Sequence, residues 1–162
     1  MKIEQLYKLF TESYLVDTDT RKIRNGSLFF ALKGDNFNGN MFAKQAIDNG
    51  ANYAIIDESE YYINTNTIVV DNVLETLQKL ALYHRNQLNI PIIALTGSNG
   101  KTTTKELIAA VLSKKYNVNY TQGNLNNHIG LPLTLLSITN ENDFAVVEMG
   151  ANHQKEIELL AS

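Results

Sequence analysis

The sequence predicts an α/β fold built largely on parallel sheets. Short apolar runs that read as strands alternate along the chain with stretches that repeat at helical spacing. One run, residues 90–95, leads into a glycine turn and then into a helical pattern that opens with Lys101. At 162 residues with 44% hydrophobic content, the chain is long enough for one ordinary domain or two small ones around a real core.

Three strands and three helices are predicted before residue 90. The strand runs are rich in β-branched and aromatic residues, and the turn pair Asn25-Gly26 introduces the first of them. The helices are marked by apolar residues at helical spacing, and Gly50 is placed to end the second one as a C-cap. The predicted strands cover residues 27–32, 53–57 and 67–71, and the predicted helices lie around residues 3–10, 42–47 and 73–88.

After residue 90 the pattern changes to a second unit. Strands are predicted over residues 90–95, 117–121 and 144–148, and a helix follows Lys101. Because Pro91 ends any helix before it, we expect the domains to be residues 1–88 and 89–162. The second domain would be short, and the chain stops inside an apparent helix, so we expect a truncated protein. The predicted buried face of the helix after Lys101 consists of Leu107, Ile108, Val111 and Leu112.

Charge and composition exclude several classes of function. A formal net charge of −3 gives no general attraction to nucleic acid or to an anionic membrane. The chain has no cysteine, which excludes disulfides and thiolate metal sites. The N-terminus lacks a signal-peptide core, and no apolar run approaches the ~20 residues that span a bilayer. We therefore expect a soluble cytoplasmic protein.

The segment after the strand at 90–95 has the order that a triphosphate site needs. Glycines let backbone N–H groups approach phosphates, and the following helix presents its positive N-terminal end to them. Lys101 would supply a point charge to the phosphates, and the Thr102 hydroxyl would be a ligand for Mg²⁺. The motif is shorter than the general P-loop, because Leu95 stands where that pattern has its first glycine. The alternative is an ordinary strand-to-helix turn. The candidate ATP-binding residues are Gly97, Ser98, Asn99, Gly100, Lys101, Thr102 and Thr103.

Three further segments, together with this motif, carry a family resemblance. They are residues 19–34 with Asn38-Gly39 following, residues 123–136, and residues 147–157. In this order they resemble the Mur ligases, and within that family the member that adds a D-alanyl-D-alanine dipeptide. The resemblance covers nearly the whole chain.

The resemblance implies a chemistry in which ATP drives formation of an amide bond. ATP would phosphorylate the terminal carboxylate of UDP-N-acetylmuramoyl-tripeptide, and the amine of D-Ala-D-Ala would attack that acyl phosphate to give a peptidoglycan precursor. The implied cofactors are ATP and Mg²⁺, the implied partners are these small molecules, and the full-length family member would be a monomer. A fragment without the family's closing domain would bind ligands but not ligate alone. Its exposed sheet edge would favour self-association.

The resemblance also assigns roles to residues of the second unit. Glu148, at the end of a strand, corresponds to the family's magnesium carboxylate, with Thr102 as a second ligand. Lys101, Asn127 and His128 are the candidate catalytic residues, and Asn126 lies in the same loop. The alternatives are a strand-end carboxylate in solvent for Glu148 and a turn or capping loop for the asparagines.

The histidines are less clearly assigned by the resemblance. His128 stands where the family often has an acidic residue. His153 is either a metal ligand or general base, or a cap or surface residue; His84 is interpreted as structural. Lys155 replaces a glycine that is frequent in the family's motif.

Residues near two of the first predicted strands correspond to the family's site for the UDP-linked substrate. Thr20 corresponds to a contact with the uridine part, and Arg21 could pair with the diphosphate because a guanidinium suits bidentate geometry. The alternative is a polar turn packed before a strand. The candidate substrate-binding residues are Thr18, Thr20, Arg21, Asp35, Asn36 and Phe37.

Three other functions compete with this interpretation. A sister Mur ligase would add a different amino acid. A stand-alone nucleotide-binding module would sense a cell-wall precursor without making it. A P-loop NTPase acting as a motor or switch would need an aspartate after an apolar strand, but the strand at residues 144–148 ends in Glu148.

Overall fold

The computed structural model describes residues 1–150, and the chain divides into two compact units. The first is Met1–Tyr83, and the second begins at His84. The division lies within a long helix, α3, which spans Val73–Gln87. The domain boundary expected between residues 88 and 89 stays a prediction. No helix within residues 1–150 is long and apolar enough to cross a membrane.

Within residues 1–83 a parallel four-stranded sheet forms the centre of the first unit. Its spatial order is β1-β2-β5-β6, and Leu28 pairs with Tyr53 where its two central strands meet. Apolar side chains alternate between its two faces, and Phe29, Ala54 and Ile56 pack in one core with the helical residues Ala43 and Ala46. Besides α3, the elements are α1 (Ile3–Phe10), β1 (Val16–Asp17), β2 (Leu28–Phe30), β3 (Lys33–Gly34), β4 (Phe37–Asn38), α2 (Ala43–Asp48), β5 (Tyr53–Ile56) and β6 (Thr67–Val69).

The predicted strands and helices of this unit are confirmed, but two features were not predicted. β1 is only two residues long, and β3 and β4 form a short antiparallel hairpin after β2. Gly39 closes this hairpin against the sheet, because a Cβ atom there would lie 2.4 Å from the carbonyl oxygen of Leu32. Only glycine fits such a close backbone approach.

In the described part of the second unit, three parallel strands are arranged in the order β7-β9-β8. The middle strand, β9, is almost entirely buried, and Ala145 packs with Leu88 and Ile138 on one side of it. Val147 packs with Leu131 and Met149 in a second cluster. The elements are β7 (Ile92–Leu95), α4 (Lys101–Leu112), β8 (Val118–Tyr120), α5 (Gly130–Leu136) and β9 (Phe144–Glu148).

Helix α4 buries a different face from the predicted one. Lys105 and Ala109 are fully buried, whereas Leu107 and Val111 are 62% and 71% exposed. Ile108 and Leu112 are partly buried, so only half of the predicted face faces the sheet. Residues four apart share one side of a helix, and the pair at 107 and 111 lies opposite the pair at 105 and 109. The lysine takes the buried position because its amino group finds a carbonyl partner there, Thr121 O at 2.6 Å.

Helix α5 is not among the helices predicted from the sequence. Its sequence contains Gly130 and Pro132, which are poor helix formers. Both residues lie in the first turn, where proline is tolerated because the N–H it lacks has no partner inside the helix.

Candidate functional site

Three polar segments meet at the carboxyl edge of the second unit's sheet. The glycine turn follows β7, the loop that starts at Thr121 follows β8, and Glu148 is the last residue of β9. Leu95 pairs with Glu148 across the ladder between β7 and β9. Because all three strands run parallel, their following segments lie at one edge, which is where open α/β sheets bind ligands.

The turn between β7 and α4 is shaped to receive an anion. Gly100 adopts a left-handed conformation, with φ of 75°, as the residue before α4. The N–H groups of the first helical turn have no partners inside the helix and point out of its N-terminal end. The amino group of Lys101 lies over the turn and donates to the Gly97 carbonyl at 2.8 Å. The turn therefore combines backbone donors, a helix end and one lysine.

Glu148 is a buried carboxylate whose two oxygen atoms have different surroundings. Its side chain is 1% exposed. Its Oε1 accepts from the Asn126 amide at 2.8 Å and lies 3.4 Å from the donating hydroxyl of Thr102. Its Oε2 is buried and has no hydrogen-bond partner among residues 1–150. A buried carboxylate with one oxygen beside a hydroxyl, close to a glycine turn that can receive an anion, is an arrangement that suits a cation.

The donor set at this edge fits Mg²⁺ rather than a metal held only by protein. Thr102 and Glu148 supply hard oxygen atoms, 3.4 Å apart. Among the described residues there is no cluster of three or more His, Cys, Asp or Glu side chains that could hold a metal. Magnesium ordinarily takes one or two carboxylates together with phosphate oxygens and water, so a nucleotide would complete this set.

Lys105 belongs to the same cluster, although it was not among the predicted site residues. Its side chain is fully buried, and its amino group donates to Thr121 O at 2.6 Å and lies 4.0 Å from Glu148 Oε2. Its distance to Glu106 Oε1, on the more exposed side, is 3.1 Å. The sequence carried one signal for it: Lys105 lies at helical spacing from Ala109 and Leu112, on the face that packs against the sheet.

The loop after β8 contains residues with separate structural roles. Asn126 contacts Glu148 directly, and its carbonyl accepts from Gly150 N at 2.7 Å. The Oδ1 atom of Asn127 accepts from the N–H groups of Ile129 and Gly130, at 3.1 and 2.8 Å. His128 lies on the surface beside it. Catalytic roles for Asn127 and His128 stay predictions. His153 and Lys155 lie outside the described residues.

The predicted substrate-binding residues of the first unit also meet at one sheet edge. Thr18, Thr20 and Arg21 follow β1, and the turn of the β3–β4 hairpin follows β2. β1 and β2 are adjacent and parallel, so both segments lie beyond the same ends. In the hairpin, Asp35, Asn36 and Phe37 are exposed, and the Phe37 ring stacks on Phe42 with 5.4 Å between centroids.

Arg21 is held by its neighbour Asp19. The guanidinium makes hydrogen bonds to both carboxylate oxygens, at 2.9, 3.1 and 2.7 Å. These bonds, together with the Arg21 backbone N–H, lower the pKa of Asp19 to about 2. The Arg21 side chain is 85% exposed, so this pair presents a charged arginine to solvent at the edge of the sheet.

A polar network under the hairpin was not predicted. Its centre is Asp57, which accepts from Asn40 at 2.9 Å and from the backbone N–H of Val73 at 3.2 Å, and lies 3.0 Å from the Lys33 amino group. Burial raises the pKa of Asp57, but the Lys33, Asn40 and Val73 donors outweigh it and hold that pKa below its usual value. The network therefore ties the hairpin, the end of β5 and the start of α3 together.

Comparison with known proteins places both units in one family. The model of the Mur ligase family catalytic domain matches residues 12–95, and the model of the Mur ligase middle domain matches residues 95–162. The chain is 46% identical over 148 residues to UDP-N-acetylmuramoyl-tripeptide–D-alanyl-D-alanine ligase of Bacillus subtilis, covering 90% of the chain and 32% of that protein. It is 48% identical over 142 residues to the Escherichia coli protein of the same name, covering 88% of the chain and 31% of that protein.

A solved structure gives the same result at the level of the fold. MurF ligase from Thermotoga maritima in complex with ADP is 33% identical, with a TM-score of 0.79 over 91% of this chain and 34% of that one. The chain thus spans about a third of the length of the relatives it matches. One family model alone covers more than half of the sequence, and the second continues from where it ends. The parallel α/β fold and these matches agree: the chain belongs to the Mur ligase family.

Proposed function

We propose that this chain is the part of an ATP-dependent ligase that binds a UDP-linked muramyl tripeptide and the phosphates of ATP. The whole protein would add D-Ala-D-Ala to UDP-N-acetylmuramoyl-tripeptide through an acyl phosphate. The observation that carries the proposal is the approach of Thr102 to Glu148, 3.4 Å apart, beside the glycine turn. The names of the relatives supply the reaction.

In the second unit, the turn residues Gly97 to Thr103 would cradle the triphosphate with backbone N–H groups. Lys101 would leave its carbonyl partner, Gly97 O, and neutralise charge on the phosphoryl group that is transferred. Thr102 and Glu148 would hold Mg²⁺, which supplies charge neutralisation at the phosphates when bound. Asn126 would keep the carboxylate of Glu148 turned toward Thr102 through its 2.8 Å hydrogen bond.

In the first unit, the two segments beyond β1 and β2 would bind the UDP part of the substrate. Thr20 would contact the uridine, and Arg21, already exposed beside Asp19, would meet the diphosphate. Asp35, Asn36 and Phe37 would approach from the hairpin, which the Asp57 network holds in place. Neither nucleic acid nor membrane is a partner in this proposal, and the whole protein would work as a cytoplasmic monomer. This chain alone would bind its ligands without ligating them, and it would tend to self-associate.

A sister ligase that adds a different amino acid is the second candidate. The names of the relatives in Bacillus subtilis and Escherichia coli specify the tripeptide and D-alanyl-D-alanine, which favours the dipeptide. A whole-length protein assayed with D-Ala-D-Ala and with single amino acids would separate the two. A stand-alone sensor module would bind the same precursor but would have no ligase activity in any form of the protein.

Calorimetric titration of the chain tests the proposal, first with UDP-N-acetylmuramoyl-tripeptide and then with Mg·ATP. We expect both to bind, with Thr20→Ala weakening only the first and Lys101→Ala only the second. Thr65→Ala is the matched control, because Thr65 is exposed in the loop that enters β6, at the other edge of the sheet. The proposal would be overturned if the wild-type chain bound neither UDP-N-acetylmuramoyl-tripeptide nor Mg·ATP.

A further inference from the structure

The site contains a buried lysine for which the proposed function gives no role. Lys105 lies one turn beyond Lys101 on α4, and its side chain is completely buried. A buried ammonium group is costly unless it is paired and hydrogen-bonded. Its nearest partners are a carbonyl, Thr121 O, and the half-exposed carboxylate of Glu106.

The buried charge opposite this lysine is Glu148. The two side chains are 0% and 1% exposed, and 4.0 Å separates Lys105 Nζ from Glu148 Oε2. That oxygen has no hydrogen-bond partner within residues 1–150. Lys105 is therefore the cation that compensates the charge at Oε2. Asn126 and Thr102 contact the other oxygen, Oε1.

The cluster also fixes where the carboxylate stands. The backbone N–H of Glu148 donates to the Thr121 hydroxyl at 2.9 Å, and Lys105 donates to the Thr121 carbonyl. Thr121 therefore links the end of β8 to both residues of the charge pair. Helix α4, which begins at the glycine turn, is in this way joined to β9, the strand that carries Glu148.

We propose that Lys105 is a positioning residue for Glu148: it holds the Oε2 side of the carboxylate inside the protein, so that Oε1 stays directed at Thr102. This inference rests on the proposed function, in which Thr102 and Glu148 hold the magnesium ion of the nucleotide. The competing explanation is that Lys105 only ties α4 to β8 through Thr121, with no effect on Glu148.

A double-mutant cycle on thermal unfolding separates the two explanations without any ligand. Lys105→Met leaves Glu148 buried without its counter-charge, and we expect Tm to fall by on the order of 10 °C. In the Glu148→Gln background the same substitution removes a charge that no longer has a partner. There we expect a loss less than half as large. Equal losses in the two backgrounds would show a simple tether and overturn the proposal.

If Lys105→Met alone does not fold, the cycle still decides. The double variant Lys105→Met with Glu148→Gln must then fold with a Tm close to that of Glu148→Gln. A double variant that also fails to fold overturns the proposal. Lys114→Met is the matched control, because Lys114 is exposed just beyond α4 and the same substitution there should leave Tm unchanged.

The magnesium dependence of ADP binding tests the positioning itself. We expect Lys105→Met to raise the Mg²⁺ concentration needed for half-maximal ADP binding about tenfold or more, because Oε1 is no longer held toward Thr102. ADP affinity in chelator should stay within about twofold, whereas loss of a structural tether would weaken both. An unchanged or lowered Mg²⁺ requirement overturns the proposal. If the wild-type chain does not bind Mg·ADP, the proposed nucleotide site is wrong. The double-mutant cycle on unfolding would still test the coupling between Lys105 and Glu148.

Discussion

The Oδ1 atom of Asn127 accepts the backbone N–H of Gly130 at 2.8 Å, and this bond caps the first turn of α5. The same oxygen accepts from Ile129 N at 3.1 Å. Asn127, a candidate catalytic residue, therefore has a structural role that can be measured by itself.

We predict that Asn127→Ala lowers the free energy of unfolding by about 1 kcal/mol, the usual cost of losing such a cap. Asn127→Asp should keep most of that stability, because a carboxylate oxygen accepts the same bonds. Chemical denaturation of the three proteins measures both effects. An Asn127→Ala chain as stable as wild type would show that the cap contributes nothing.

Substitution of the glycine beside the hairpin should destabilise the first unit. In Gly39→Ala the new methyl group would lie 2.4 Å from the Leu32 carbonyl oxygen and 2.7 Å from the Ala31 carbonyl carbon, so the backbone must move. We expect a loss of several kcal/mol, as for other severe overpacking. Gly34→Ala is the matched control: no atom lies within 4 Å of a Cβ built there. Similar melting temperatures for the two variants would contradict the prediction.

Removal of the Lys101 amino group should affect ligand binding but not folding. This amino group donates a hydrogen bond to the Gly97 carbonyl on an exposed turn. We predict that Lys101→Met binds Mg·ATP at least about tenfold more weakly, because charge-assisted hydrogen bonds contribute on the order of 2 kcal/mol. The melting temperature should stay near that of wild type. Calorimetry and thermal unfolding on the same samples check both parts, and unchanged affinity would remove Lys101 from the site.

Stability should depend on pH through His84. This side chain is 1% exposed, and its Nε2 lies 2.7 Å from the Ile138 carbonyl oxygen. Burial lowers the pKa of His84, and the hydrogen bond to Ile138 offsets this only in part. The unfolded chain therefore takes up a proton more readily than the folded one. The stabilisation is complete above the unfolded value of about 6.5 and declines as pH falls below it.

Chemical denaturation between about pH 8 and pH 5 measures this dependence. His84→Gln should flatten the slope below about pH 6.5. An unaltered slope in His84→Gln would contradict the prediction.

Most of the fold was predictable because the four-stranded and three-stranded sheets are parallel and their central strands are buried. Residues 53–56 and 144–147 are continuous apolar runs within their strands, and the helices between the strands repeat at helical spacing. What the patterns did not show depends on contacts distant in sequence. β1 has only two residues, and α5 contains a glycine and a proline that tertiary packing accommodates.

The candidate site was predictable where its residues are neighbours in the sequence. It was not predictable where the fold brings distant segments together. Residues 97–103 were found from the order of strand, turn and helix, whereas Glu148 was assigned by the family resemblance. The burial of Lys105 and the exposure of Leu107 follow from which side of α4 meets the sheet, and periodicity alone favoured the apolar side chains. The Asp57 network joins residues 16 and 17 positions apart, a separation that no local pattern reports.

The placement of polar residues at strand ends has a consequence for how this protein can change. Of the candidate site residues, Glu148 lies within the ladder of a central strand, and any replacement there must satisfy sheet packing and ligand chemistry together. The hairpin after β2, by contrast, is attached to the sheet by a compact set of polar bonds. Its turn can vary in length and chemistry at little entropic cost. Changes should therefore be tolerated more readily in the turn of this hairpin than at Glu148, where the sheet restricts what can replace the residue.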